Sequence, residues 1–144
     1  MKKSDMIKRY KKQLESTGIK VNMELLNKIT DSLSPGIFKA DAETVSSSDP
    51  SELKTIKDNY LIKKLGLKDS KELDESIESV IKKLGKSNKS KYRVCFYYLL
   101  CEEFNKESEY IENYKLGKVN NFLIKLNIIF GLLAASFLLY LVCS

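Results

Sequence analysis

The stretch Asp69-Ser70-Lys71-Glu72-Leu73-Asp74-Glu75-Ser76-Ile77-Glu78-Ser79-Val80-Ile81-Lys82-Lys83-Leu84-Gly85 decides the fold class. Leu73, Ile77, Val80, Ile81 and Leu84 recur at intervals of three and four, which lines one face of an α-helix and not of a strand. A capping residue and an early glutamate open the stretch, and glycine closes it. The same grammar precedes it. Asp49-Pro50-Ser51-Glu52 supplies a cap, a proline at the first helical position and a glutamate able to reach back. Leu53, Ile56, Tyr60 and Leu61 then share a face, and Gly66 ends that helix.

Further toward the N-terminus, Ser4 is placed to cap a helix carrying Ile7, Tyr10 and Leu14 and ending at Gly18. Asn22 is placed to cap a second, with Leu26, Ile29 and Leu33, stopped by Ser34-Pro35-Gly36. Residues 37–48 read as a loop or a single helical turn, lying over the core through Ile37 and Phe38. In the other direction, Tyr92 to Cys101 is apolar nearly all round. As a helix it belongs in the middle of a bundle, with amphipathic helices packed around it. Its β-propensity is also high, but no partner strand stands out elsewhere. Residues 106–118 read as a polar helical connector.

Residues 126–143 form a run of eighteen without charge, eleven of them Leu, Ile, Phe or Val. At about 1.5 Å per residue such a helix reaches roughly 27 Å, close to the hydrocarbon thickness of a bilayer. Counting back to Phe122 includes Lys125, whose ammonium can snorkel to the interface. Lys115, Lys118 and Lys125 precede the run and nothing basic follows it, so the positive-inside rule puts the N-terminal domain in the cytoplasm. The lysines near Met1 lack the apolar run of a signal peptide. The expected fold is therefore all-α: a small bundle of about five helices followed by a single C-terminal transmembrane helix. The expected division is a soluble helical domain over 1–105, a connector over 106–121 and a tail anchor over 122–143. A bacterial inner membrane is the expected location. A buried core helix is the alternative for the apolar run.

The chain has 144 residues and a net charge of +6, with no histidine, no tryptophan and three cysteines. Without the apolar run it is long enough for one compact domain. Cys95 and Cys101 lie six apart on one expected helix and face different ways, so they cannot pair with each other. Reduced thiols serving as small apolar side chains fit a cytoplasmic domain. A metal site would need ligands without histidine and without a C-x-x-C spacing, so neither metal nor other cofactor is expected.

Three stretches carry a family resemblance: Asp41-Ala42-Glu43-Thr44-Val45-Ser46-Ser47-Ser48-Asp49-Pro50-Ser51-Glu52-Leu53, Asn59-Tyr60-Leu61-Ile62-Lys63-Lys64-Leu65-Gly66-Leu67, and Gly85-Lys86-Ser87-Asn88-Lys89-Ser90-Lys91-Tyr92-Arg93 running into Phe96-Tyr97-Tyr98-Leu99-Leu100. Through them residues 1 to about 110 resemble the small bacterial proteins grouped as domain of unknown function 2853. The resemblance implies an all-helical fold and a bacterial origin. It implies no activity and carries over no catalytic residue. The hydrophobic extension after about Tyr114 departs from that family's pattern.

Lys82, Lys83, Lys86, Lys89, Lys91 and Arg93 put six cations within twelve residues, with no acid between Glu78 and Glu102. Such a cluster suits an anionic partner. Lipid headgroups and nucleic-acid phosphates are the two candidates, Tyr92 offering a stacking ring for the second. A solvated inter-helix loop is the plain alternative. The polar loop from Asp41 to Asp49 lacks the alternating acids of a calcium site, and no histidine exists to activate its serines. No Gly-rich phosphate loop is present either, so no catalytic constellation is expected. The tyrosines Tyr92, Tyr97 and Tyr98 read first as core packing, with a ring-lined ligand groove as the alternative. In the apolar run Asn127, Gly131 and Ala135 share one helical face and would let two copies approach, so a homo-oligomer through that helix is an option. The expected function is a non-catalytic, tail-anchored tether or scaffold for an unidentified protein partner at the lipid bilayer. A nucleic-acid-binding module using Lys82 to Arg93 is the alternative.

Overall fold

The computed structural model describes residues 2–112 and Gly131. The segments 113–130 and 132–144 lie outside the described residues, and with them the membrane-helix reading, most of the connector, Cys143, Asn127 and Ala135. Two compact units divide at residue 111, Met1–Ile111 and Glu112–Ser144. The first is mostly helical. Among the described residues there is no strand, only an isolated antiparallel bridge between Thr44 and Tyr92, and no helix is long and apolar enough to cross a membrane.

Helix α1 spans Lys3–Glu15 and buries Met6, Ile7, Tyr10 and Leu14. Its cap position is Lys2, without a side-chain cap bond, so Ser4 lies inside the helix rather than at its cap. Gly18 follows at φ +85°, a left-handed stop that only glycine takes without strain. Helix α2 spans Met23–Leu33, and Asn22 caps it as its type demands, accepting from the N–H groups of Glu24 and Leu25 at 3.0 and 3.2 Å. Beyond it come a 3₁₀ turn, Gly36–Phe38, and the one-turn α3, Ala40–Glu43. Ile37 is buried as its apolarity requires, but Phe38 is 49% exposed and does not lie on the core. Adjacent side chains of a 3₁₀ turn point about 120° apart, and here Ile37 takes the inward direction and Phe38 the outward one.

Helix α4, Pro50–Thr55, begins with Asp49 accepting from the Ser51 N–H at 2.9 Å. It then widens into a π-helix over Ile56–Lys64, with the Leu65 N–H bonded to the Tyr60 carbonyl at 2.9 Å. Apolar spacing alone gives no sign of that widening. Helix α5, Lys71–Leu84, buries Leu73, Ile77, Val80, Ile81 and Leu84 as the spacing requires. Its cap is Ser70, again without a side-chain bond, and Asp69 instead pairs with Lys57 at 2.8 Å. Lys57 also reaches Asp74 at 3.0 Å, and these two carboxylates raise its pKa.

Helix α6, Arg93–Glu103, is the hydrophobic axis. Val94, Cys95, Phe96, Tyr98, Leu99, Leu100 and Cys101 are all buried, on every side of the helix, and α1, α2, α3 and α5 pack against it. That arrangement follows from an element with no polar face. Cys95 and Cys101 are buried free thiols, and burial pushes both upward in pKa, Cys101 to about 12. They are therefore inert at neutral pH.

Candidate anion-binding cleft

A cleft of about 370 Å³ opens between residues 44–48 and residues 86–89. One wall is Thr44-Val45-Ser46-Ser47-Ser48, entering α4. The other is Lys86-Ser87-Asn88-Lys89, leaving α5. Both are loops, and loops need fixing before they can hold anything. Backbone bonding supplies part of that. The Val45 N–H donates to the Lys91 carbonyl at 2.8 Å, joining the segment after one wall to the base of the other. The Gln13 amide clamps the same strip, donating to the Ser90 carbonyl at 2.8 Å and accepting from the Tyr92 N–H at 3.0 Å.

Two of the six cations singled out in the sequence complete the fixing, and their placement differs from the expectation of a common open face. The Arg93 guanidinium turns inward. Nε donates to the Ala42 carbonyl at 2.8 Å and Nη2 to the Thr44 carbonyl at 3.2 Å, with an ion pair to Glu52. The other oxygen of Glu52 accepts from the Ser46 N–H at 2.8 Å. Its reach-back therefore lands on Ser46 and not on the capping residue Asp49, because Arg93 draws the carboxylate toward α6. Lys91 is 1% exposed, and its ammonium donates to the carbonyls of Asn88 and Lys86. Burial lowers its pKa. Arg93 braces the first wall and Lys91 the second.

The remaining four are exposed, and only two of them line the cleft. Lys82 and Lys83 sit along α5 beside Asp74, Glu75 and Glu78, and Lys83 also lies 3.9 Å from Glu103. These acids share the α5 surface with them, although Asp74 and Glu75 pair with Lys57 and Lys71. Lys86 and Lys89 have no ion-pair partner among the described residues. Asn88 is occupied with its own loop, donating to the Leu84 carbonyl at 3.1 Å and accepting from the Ser90 N–H at 2.9 Å. Among the described residues lining the cleft there is no carboxylate, and five carry hydroxyls: Thr44, Ser46, Ser47, Ser48 and Ser87. Two ammonium groups with several hydroxyl donors suit an oxyanion such as a phosphate.

Tyr92 is not a free stacking ring. It packs edge-on against Tyr10 with centroids 5.1 Å apart, and Arg9 lies 5.3 Å over it. Tyr10 and Arg9 in turn both donate to Glu43, at 3.0 and 2.7 Å. Burial and that carboxylate push the Tyr10 phenol upward in pKa. Tyr98 is buried, and its oxygen accepts from the Asn22 N–H at 2.8 Å. Gly131 is helical and exposed. No group of three or more histidine, cysteine or acidic side chains among the described residues is arranged to hold a metal ion.

Several residues within the stretches that carry the family resemblance hold these loops in place: Asp49 caps α4, Glu52 and Arg93 brace the first wall, and Lys91 braces the second. A family model described as "Protein of unknown function (DUF2853)" matches residues 9–108. The chain belongs to that family. The matched region contains both walls of the cleft, the π-helix and α6. No curated protein matches the chain.

Proposed function

We propose that the chain is a non-catalytic, single-pass membrane tether that holds its basic helical domain at the cytoplasmic face of a bilayer, where the cleft docks a phosphate-bearing partner. The observation that carries the docking reading is the lining of that cleft: Lys86 and Lys89 without carboxylate partners, among hydroxyl side chains, on walls braced by Lys91 and Arg93. The uncharged run 126–143, with Lys115, Lys118 and Lys125 ahead of it, supports the membrane reading. A nucleic acid also brings phosphates, but it calls for cations in a row and a free ring. Lys91, Arg93 and Tyr92 are spent inside the domain.

The test has two arms. Alkaline carbonate should leave the full chain in the membrane and release a version truncated after Lys118. If both are released, the tether reading fails. For the cleft, inorganic phosphate titrated into the full chain should shift the amide resonances of residues 46–48 and 86–89, and a Lys86→Ala, Lys89→Ala double variant should lose the response. Duplex DNA that binds with a steep salt dependence, and competes with phosphate for these residues, would replace this reading with nucleic-acid binding.

A further inference from the structure

A second cavity, of about 310 Å³, opens between the end of α2, the π-helix and Tyr97 of α6, and its walls are largely aromatic. Tyr60 and Tyr97 lie face to face with centroids 3.8 Å apart and planes 9° from parallel. The Tyr60 hydroxyl donates to the Tyr97 carbonyl at 2.9 Å, and the Tyr110 hydroxyl donates to that of Tyr60 at 3.4 Å. The Lys64 ammonium stands 5.1 Å over the Tyr110 ring. Asn59 and Ser32 add an amide and a hydroxyl, and no carboxylate is among the described lining residues.

The π-helix builds this wall. In an α-helix of about 3.6 residues per turn, positions five apart diverge by about 140°, which would turn Asn59 and Lys64 away from each other. An i→i+5 turn returns the fifth residue to the same side. Asn59, Tyr60 and Lys64 therefore all face one cavity. The cavity lies at the small end of the range for ligand pockets, which limits an occupant to one or two rings. Its walls offer ring faces for stacking and a single exposed cation at the rim.

We propose that this tyrosine cavity binds a small planar aromatic carboxylate, its ring beside Tyr97 and Tyr110 and its carboxylate at Lys64. The site is separate from the phosphate cleft and does not depend on it.

Indole-3-carboxylate and indole-3-carboxamide serve as matched probes, titrated against the full chain in phospholipid vesicles. The chain has no tryptophan, so indole emission reports the probe alone. The carboxylate should bind saturably, and the carboxamide about tenfold more weakly. Lys64→Gln, at an exposed position, should erase that difference while leaving the circular dichroism spectrum unchanged. Tyr97→Leu should lose both probes. No saturable binding of the carboxylate, equal binding of the two probes by the parent, or a preference that survives Lys64→Gln would each overturn the proposal.

Discussion

Arg93 shows how little a residue's type says about its task. In the sequence it completes a basic cluster; in the fold it gives its donors to two backbone carbonyls and the Glu52 carboxylate, with about four-fifths of both charged side chains covered. Removing a partly buried partner leaves the others unsatisfied, which costs more than the pair itself contributes. Arg93→Ala should lower the unfolding free energy by about 3 kcal/mol in urea titrations. Arg93→Lys should recover little of it, because one ammonium cannot span the acceptors that a planar guanidinium reaches. Lys86→Ala and Lys89→Ala, changing exposed side chains without ion-pair partners, should stay within about 0.5 kcal/mol of the parent. Equal costs for Arg93 and Lys86 would contradict this division between braces and cleft cations. Six cations in twelve residues were legible as a cluster; which two point inward was not, because charge counts carry no direction.

Among the elements, the apolar stripes of α1 and α5 were legible and the helix ends were less so. The five apolar positions of the α5 stripe are all buried, with Ser76 beside them, since burying apolar surface is the main gain from packing a helix. Caps depend on where the first turn happens to start, within a residue or two. Asn22 makes its two cap bonds; Ser4 lies inside α1, and Ser70 and Asp69 make none. Asn22→Ala should therefore cost about 1 kcal/mol, and Ser70→Ala only a few tenths, when the two are compared in thermal unfolding. A Ser70→Ala cost matching that of Asn22→Ala would show that the side-chain cap bonds are not what distinguishes them. The π-helix escaped the spacing altogether: Ile56, Tyr60 and Leu61 suit an α-helical face equally well. What separates the two is which carbonyl each N–H finds, and neighbouring packing decides that.

At the scale of the whole domain, α6 concentrates the buried groups that couple stability to pH. The Cys101 thiol ionises near 9.0 when unperturbed and is pushed up to about 12 in the fold by burial, and Cys95 shifts in the same direction. The unfolded chain therefore releases these protons while the folded one keeps them. The stabilisation is present in full below pH 9.0 and is lost as pH rises toward about 12. The loss is about 1.4 kcal/mol per pH unit for each group within its window. Tyr10, Tyr60 and Tyr110, also shifted upward, add to it above their ordinary value of 10.0. The urea midpoint should hold steady from pH 7 to 8.5 and fall from pH 9 upward, and Cys101→Ala should make that fall shallower. A midpoint independent of pH up to 11 would refute the burial argument. Taken alone, the sequence determined the helical class, the central place of the apolar helix, the faces of α1 and α5, the family, and the uncharged run on which the tether proposal rests. These depend on local period and composition, which a chain carries without folding. Only the tertiary structure decided that Lys91 and Arg93 are braces, that Lys86 and Lys89 share a cleft with Ser46 to Ser48, and that Tyr60, Tyr97 and Tyr110 meet around a cavity. Each of those joins residues about forty or more apart, or turns a side chain inward rather than out. Such choices are set by packing among elements, not by the local sequence that forms them.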